Sequence, residues 1–230
     1  MFEYYRYFMK LFDFDYFFTS IPNLLAKVPI TLFLGCVSFL LALFLGVLLA
    51  VIQQSRWRII RGAVRVYISY FRSTPYITQL FILYFGLPQV IDCFRYLSAP
   101  MALILSIAMN SSAFIAEIIR GSFLSVDKGQ IDAAVSVGLS KFHTMKDIVF
   151  PQALVSAIPA LGNSFVNMIK STSMGFTIGV VELLSQAKIG SVMSYRFLEG
   201  YMAVGLIYWA LIVIVDHLQK RLEKRVGKYL

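Results

Sequence analysis

The side chains that could carry chemistry are few, and their spacing does not assemble a reaction centre. His143 and His217 have no neighbouring serine, cysteine or paired carboxylate, so neither nucleophilic nor metal chemistry is indicated. Cys36 falls inside an apolar run and Cys93 in a short connector. Neither has metal-ligand spacing, and no disulfide between them is expected. The polar residues that stand out do so by interrupting apolar stretches. Lys170 follows the 22 uncharged residues from Ile148 to Ile169, and with Ser171, Thr172 and Ser173 it makes a polar break before Gly175. A lone lysine inside a membrane span is costly and marks a functional or paired site. A broken polar segment at such depth is tolerated only where protein buries it or a cavity opens beside it. Together with Asn110, Ser111, Ser112, Ser73 and Thr74, this break would line such a cavity. Interhelical hydrogen bonds are the plainer alternative for the same residues. Glu117 either ends a span, paired with Arg120, or faces that cavity, and Arg72 reads as half of a structural ion pair.

The surroundings of these residues are apolar throughout. Of 230 residues, 59% are apolar and 14% charged, against roughly 45–50% and about 25% in average globular chains. A soluble fold of this length cannot hide that much apolar surface. The composition excludes a soluble enzyme, a disordered regulator and a disulfide scaffold. The net charge of +9 does not indicate nucleic acid, because the basic residues flank apolar spans, the pattern that orients a membrane protein. Membrane lipid is the expected surrounding.

Crossing about 30 Å of hydrocarbon takes roughly 20 helical residues. Five stretches qualify or nearly do: Val28 to Ile52, Ser73 to Ile91 with a pattern starting near Val66, Tyr96 to Ala116, Ile148 to Ile169, and Gly200 to Val215 extended by Phe197 and Leu198. Met174 to Val181 is too short to cross alone and continues or re-enters beside the fourth. Arg56, Arg58, Arg61, Arg65, Arg120, Lys128, Lys141, Lys146, Lys220, Arg221, Lys224, Arg225 and Lys228 fall on one side. Arg6, Lys10, Lys27, Arg95, Lys188 and Arg196 fall on the other. Five crossings and the positive-inside rule then put the N-terminus outside and the C-terminus in the cytoplasm. Residues 1–27 are aromatic and mixed in charge, with no small-residue cleavage site. They are expected to lie as a helix at the outer interface. Residues 28–217 form the spanning domain and 218–230 a basic tail.

Ser38, Ala42, Gly46 and Ala50 recur every fourth residue in the first span, a groove where another helix can approach closely. The one long polar connector runs over about 120–147. Residues Gln130 to Val137 have helical character. Gly138 either stops that helix or relieves crowding between two helices, and Ser140 is placed to cap a second short helix. Small residues at Asp132-Ala133-Ala134 would let a foreign surface approach the first helix. A connector resting on lipid head groups is the alternative.

Asp132-Ala133-Ala134, Gly138, Ile148 and Pro151 have the spacing of the signature loop of ABC-importer permeases, Glu-Ala-Ala, three residues, Gly, nine residues, Ile-x-Leu-Pro. Phe71-Arg72-Ser73-Thr74-Pro75, Tyr84-Phe85-Gly86-Leu87-Pro88, Asn110-Ser111, Ala116-Glu117-Ile118, Lys128-Gly129-Gln130, Pro151-Gln152-Ala153-Leu154, Leu161-Gly162-Asn163 and Thr172-Ser173 resemble the polar amino-acid subfamily. The resemblance covers roughly Val28 to Glu223. Departures are Asp132 for Glu, Phe150 for Leu, Ser73 for Gly, and Ser171 where the subfamily often has Asp. If that Asp meets cationic substrates in relatives, this chain disfavours them.

The resemblance implies an all-α polytopic bundle of about five transmembrane helices, the type I ABC importer permease fold, in a bacterial inner membrane. It implies a second permease chain, identical or related, a dimer of separate ATPase subunits, and an extracytoplasmic solute-binding protein that delivers an amino acid. Asp132, Ala133, Ala134, Gly138 and Leu139 would form the coupling helix seated on the ATPase. Ser73, Thr74, Asn110, Ser111, Ser112, Glu117, Lys170 and Thr172 are the candidates for the substrate path. The sequence has no G-x-x-x-x-G-K-[ST] loop, so ATP and Mg are expected on the partner, with no cofactor and no ATPase site in this chain. A secondary transporter of a small polar solute is the competing reading. That class tends to show internal repeats, and none is evident here.

Overall fold

A computed structural model of the chain describes residues 12–226, which are helical with short connections and contain no strand. The aromatic residues Phe2, Tyr4, Tyr5, Tyr7 and Phe8, with Glu3, Arg6, Lys10 and Lys228, lie outside the described residues. Helix α1 spans Phe14–Leu25 and α2 spans Val28–Ile52. Next come α3 (Arg58–Ser73), α4 (Tyr76–Phe81), a π turn (Ile82–Gly86) and α5 (Leu87–Val90). Helix α6 is Ala99–Leu124 and α7 is Lys128–Ser136. Helix α8 (Lys141–His143) passes through a π turn (Thr144–Val149) into α9 (Phe150–Ser171) and a 3₁₀ turn (Thr172–Ile178). Helices α10 (Leu183–Ser194) and α11 (Phe197–Val226) complete the described chain.

Among the described residues, four stretches are long and apolar enough to cross a membrane: Val28–Ile52, Ala99–Leu124, Lys141–Ile178 and Phe197–Val226. The span expected over Ser73 to Ile91 is not one helix. Thr74 and Pro75 are extended, and the chain is split into α3 and α4 there. Proline has no N–H and biases the residue before it away from the helical region, so an apolar run containing Pro75 cannot stay one helix. The apolar run is therefore divided among the end of α3, α4, the π turn and α5, none of them long enough to span by itself. Helix α3 is amphipathic. It buries Val64 and Ile68 while exposing Ile59 and Val66 between arginines. The second short helix expected after Gly138 is the start of a rod of 38 residues. Ser140 does cap it, its Oγ accepting from the His143 N–H at 3.3 Å. Helix α11 also continues to Val226, through most of the basic tail.

The small-residue stripe of α2 faces α6. Ser38, Ala42, Gly46 and Ala50 are all buried. The main apolar cluster joins Leu34 and Ala42 to Leu80, Leu103, Ile107 and Ile115. A Cβ added at Gly46 would lie 2.5 Å from Ile115 Cγ2 and 3.2 Å from the Ser112 carbonyl oxygen. Lipid gives no hydrophobic drive between spans, so close packing of this kind does the work of association. Gly46→Ala is expected to destabilise by about 1–3 kcal/mol, the usual cost of overpacking. A thermal scan of the purified protein checks this, with Gly62→Ala, at an open site within α3, as the control, which should be unchanged or slightly stabilised.

The two ends of the bundle are distinct. At one end, the Asp13 N–H donates to Glu199 Oε1 at 2.9 Å and Arg196 pairs with Asp13 at 3.2 Å, fastening α1 to the start of α11. At the other end, Gln53 meets Glu117 and Gln219 donates to the Pro159 carbonyl, while Ser125 meets Ser156. These contacts tie the C-terminal end of α2 to α6, and those of α6 and α11 to α9.

Candidate functional site

Three elements enclose a polar cleft. Its first cavity, about 590 Å³, is walled by Asn110, Ser111, Phe114, Glu117 and Ile118 of α6, by Ser164, Asn167 and Ser171 of α9, and by Arg72 of α3. A second, about 620 Å³, lies toward the α7 end. It is walled by Gln53, Arg65, Ile68, Ser69, Arg72, Ser73 and Arg120, and it shares Arg72, Phe114 and Glu117 with the first. The shared residues make the two cavities one corridor.

The break at Thr74 and Pro75 positions its wall. Pro75 cannot donate to the Phe71 carbonyl, so that carbonyl is left without its helical partner. Asn110 Nδ2 donates to it at 3.0 Å and Gln79 Nε2 at 3.1 Å. Asn110 Nδ2 also donates to Gln79 Oε1 at 2.9 Å. The end of α3, which carries Arg72, is thereby tied to α6. Glu117 collects charge at the junction. Its Oε2 accepts from Arg120 Nε at 3.1 Å and Nη2 at 2.8 Å, and Arg72 Nη1 stands 3.6 Å away. Gln53 Nε2 reaches Oε1 at 3.4 Å, and the Arg72 guanidinium lies 5.7 Å from the centre of the Phe114 ring.

Of the residues proposed for the path, Ser73, Asn110, Ser111 and Glu117 come together on this cleft. Ser112 and Thr172 do not reach it. Ser112 is fully buried, its Oγ donating to the Met109 carbonyl at 2.8 Å and meeting Tyr67 Oη at 3.0 Å. Thr172 is fully buried and donates to the Ile169 carbonyl at 2.7 Å. The hydroxyl of Thr74 is occupied by the break itself, donating to the Tyr70 carbonyl at 2.8 Å and receiving Gln79 Nε2 at 2.7 Å. Lys170 is exposed on α9 next to Ser171. Ser164, Asn167 and Ser171 recur at three and four residues, a helical face that marks the α9 wall.

The α7 connector ends in a Schellman turn. The Leu139 N–H donates to the Ala134 carbonyl at 3.1 Å and the Gly138 N–H to the Val135 carbonyl at 3.0 Å, with Gly138 at φ +83°. No atom lies within 4 Å of where its Cβ would be, so Gly138 stops the helix rather than relieving crowding. Asp132, Ala133 and Leu139 are exposed. Ala134 is buried at 3%, against its own chain. The exposed apolar residues beside it are Val135, Val137, Phe142 and Met145, which spacing alone did not single out.

Glu182 also escaped the sequence reading. It is fully buried and caps α10, accepting from the Ser185 N–H at 2.8 Å and Ser185 Oγ at 3.2 Å. Its other oxygen accepts from Tyr208 Oη at 2.9 Å, and the Leu183 N–H donates to Thr31 Oγ1 at 3.2 Å. Three helices meet on this group. Nearby, Gly175 abuts Leu103, and Gly179 turns the chain at φ +84°.

Four long apolar helices among the described residues, a polar cleft walled by α3, α6 and α9, and a capped connector at one end define a polytopic membrane protein with a solute-sized polar cleft. Residues 16–228 match the family described as "Binding-protein-dependent transport system inner membrane component", and the chain belongs to that family. It is 36% identical over 220 residues to "Probable amino-acid permease protein YxeN" of Bacillus subtilis, covering 96% of this chain and 98% of that protein. It is 36% identical to the "L-cystine transport system permease protein TcyL" of the same organism, covering 95% and 93%. A solved structure described as "Crystal structure of an amino acid ABC transporter with histidines" superposes with a TM-score of 0.85, at 32% identity over 93% of this chain and 98% of that one.

Proposed function

We propose that this chain is the membrane-spanning permease subunit of an importer that moves polar amino acids into the cytoplasm, driven by ATP hydrolysis in a separate subunit. The match to the transport family over nearly its whole length carries the reading, and the amino-acid permeases among its relatives give the substrate class. Basic residues clustered at the α7 end support a cytoplasmic C-terminus and an outer N-terminus. A second permease chain, identical or related, lies against the open side of the cleft, and a solute-binding protein delivers substrate at the α1 end. The ATPase dimer, which holds ATP and Mg, receives the exposed surface of α7 and the Gly138 turn.

The structure suggests how force reaches the cleft. The same rod of 38 residues begins just after Gly138 and carries Ser164, Asn167 and Ser171 in the cleft wall. Closure of the ATPase pair on nucleotide displaces α7. A continuous helix passes that displacement to the wall as rigid-body motion, so nucleotide biases the two access states by binding one better than the other. Reconstituting the chain with its ATPase and binding protein in vesicles tests the proposal. Uptake should require ATP, and the chain alone should hydrolyse none. Uptake driven by an ion gradient without ATP would favour the secondary transporter instead.

A further inference from the structure

We infer that the α7-end cavity of the corridor is an oxyanion site that takes the carboxylate of the passing solute, so the corridor accepts acidic and zwitterionic amino acids over cationic ones. This rests on the permease reading above. Arg65, Arg72 and Arg120 all line that cavity, with the hydroxyls of Ser69 and Ser73 beside them. Against them stands Glu117, and it is already committed. Arg120 holds it at 2.8 Å and Arg72 is 3.6 Å away. Arg65 has no ion pair among the described residues. The cavity therefore carries surplus positive charge and donor groups in a recess, which is the chemistry of carboxylate or phosphate binding.

Position adds direction. The neighbouring cavity offers the amide of Asn167 and the hydroxyls of Ser111, Ser164 and Ser171. The two cavities meet at Arg72 and Glu117. A solute leaving the neutral section toward the cytoplasm meets the guanidiniums next. An α-carboxylate can pair there, and a second carboxylate pairs twice. A guanidinium or ammonium side chain is repelled, and Glu117 is not free to compensate.

The test uses the solubilised permease–ATPase complex without binding protein, so that selectivity of delivery does not enter. Binding of tritiated glutamate, glutamine and arginine is measured for the wild type, Arg65→Gln and Arg65→Lys. Arg65 is chosen because its removal breaks no ion pair of the fold. The wild type should bind glutamate and glutamine more tightly than arginine. Arg65→Gln should weaken glutamate at least tenfold, the scale of one charge-assisted contact, while leaving arginine unchanged or tighter. Arg65→Lys should recover part of the loss. Arginine binding more tightly than glutamate in the wild type, or glutamate affinity within twofold for Arg65→Gln, overturns the inference. A lipid phosphate is the other source of an oxyanion, so the assay is repeated in nanodiscs of phosphatidylcholine and of phosphatidylglycerol. Phosphatidylglycerol abolishing glutamate binding, with Arg65→Gln relieving that block, would assign the site to a head group and overturn the substrate assignment. A complex that imports no amino acid at all fails the permease reading. One that imports but ignores Arg65→Gln fails this inference alone.

Discussion

Glu182→Ala is expected to lower the melting temperature of the purified transporter by roughly 5–10 °C, the shift that about 3 kcal/mol produces at this size. The magnitude follows from what the substitution strands. The Ser185 N–H and the Tyr208 hydroxyl lose their acceptor, and a buried unsatisfied donor costs about 1–3 kcal/mol. The Ser185 bond is itself the cap of α10, so it counts once, at typically about 1 kcal/mol, and the stranded Tyr208 hydroxyl adds the rest. Single interhelical hydrogen bonds in membranes average only about 0.6 kcal/mol, because helices find other partners. Glu182 should exceed that, since one of its bonds is a helix cap and the group is wholly buried. Glu182→Gln keeps the shape and one acceptor, and should cost less than half as much. A thermal scan of both variants checks the ordering. Equal, small shifts would mean that the three helices meeting there are held by packing alone.

Gly138→Val is expected to abolish most transport while leaving the bundle folded. At φ +83° an L-residue pays roughly 1–2 kcal/mol, and a β-branched side chain fits worst. The substitution also threatens the two Schellman hydrogen bonds that hold the turn. The turn joins α7 to the rod, so an altered exit angle misaligns the surface meant for the ATPase. Amino-acid-stimulated ATP hydrolysis should fall about tenfold or more, with loss of ATPase co-purification, and the melting temperature should move by only a few degrees. Gly138→Asn should retain most activity, because asparagine tolerates this conformation. Full coupling in Gly138→Val would show that the turn does not orient the docking surface.

Much of the architecture could be read from residue spacing, for reasons the structure makes plain. Ser38, Ala42, Gly46 and Ala50 mark a helix contact because only small residues permit that approach, and α6 occupies it. The Gly138 and Ser140 signals are local backbone chemistry, and both lie at helix boundaries as read. The run from Ser73 to Ile91 has the apolar length of a span, yet Pro75 divides it from α3, a local backbone effect that apolar length does not reveal. The corridor was only half legible. Ser73, Asn110, Ser111 and Glu117 line it, but Ser112 and Thr172 face inward, since adjacent residues on a helix point about 100° apart. Their polarity alone does not say which way they look. Glu182 was invisible for the opposite reason. It follows an apolar segment near a helix start, where a carboxylate is ordinary, and only the packing of Thr31 and Tyr208 around it reveals a buried centre.

Movement of the chain through α7 by a motor on another polypeptide requires that the motor touch the exposed face of α7. Cysteine placed at Ala133, an exposed position on α7, in a background where exposed Cys36 and Cys93 are replaced by serine, reports on this directly. The cysteine should cross-link to the ATPase subunit. In intact cells it should resist a membrane-impermeant thiol reagent until the cytoplasmic face is opened. Labelling from outside, or a complex that transports yet never cross-links there, would contradict it.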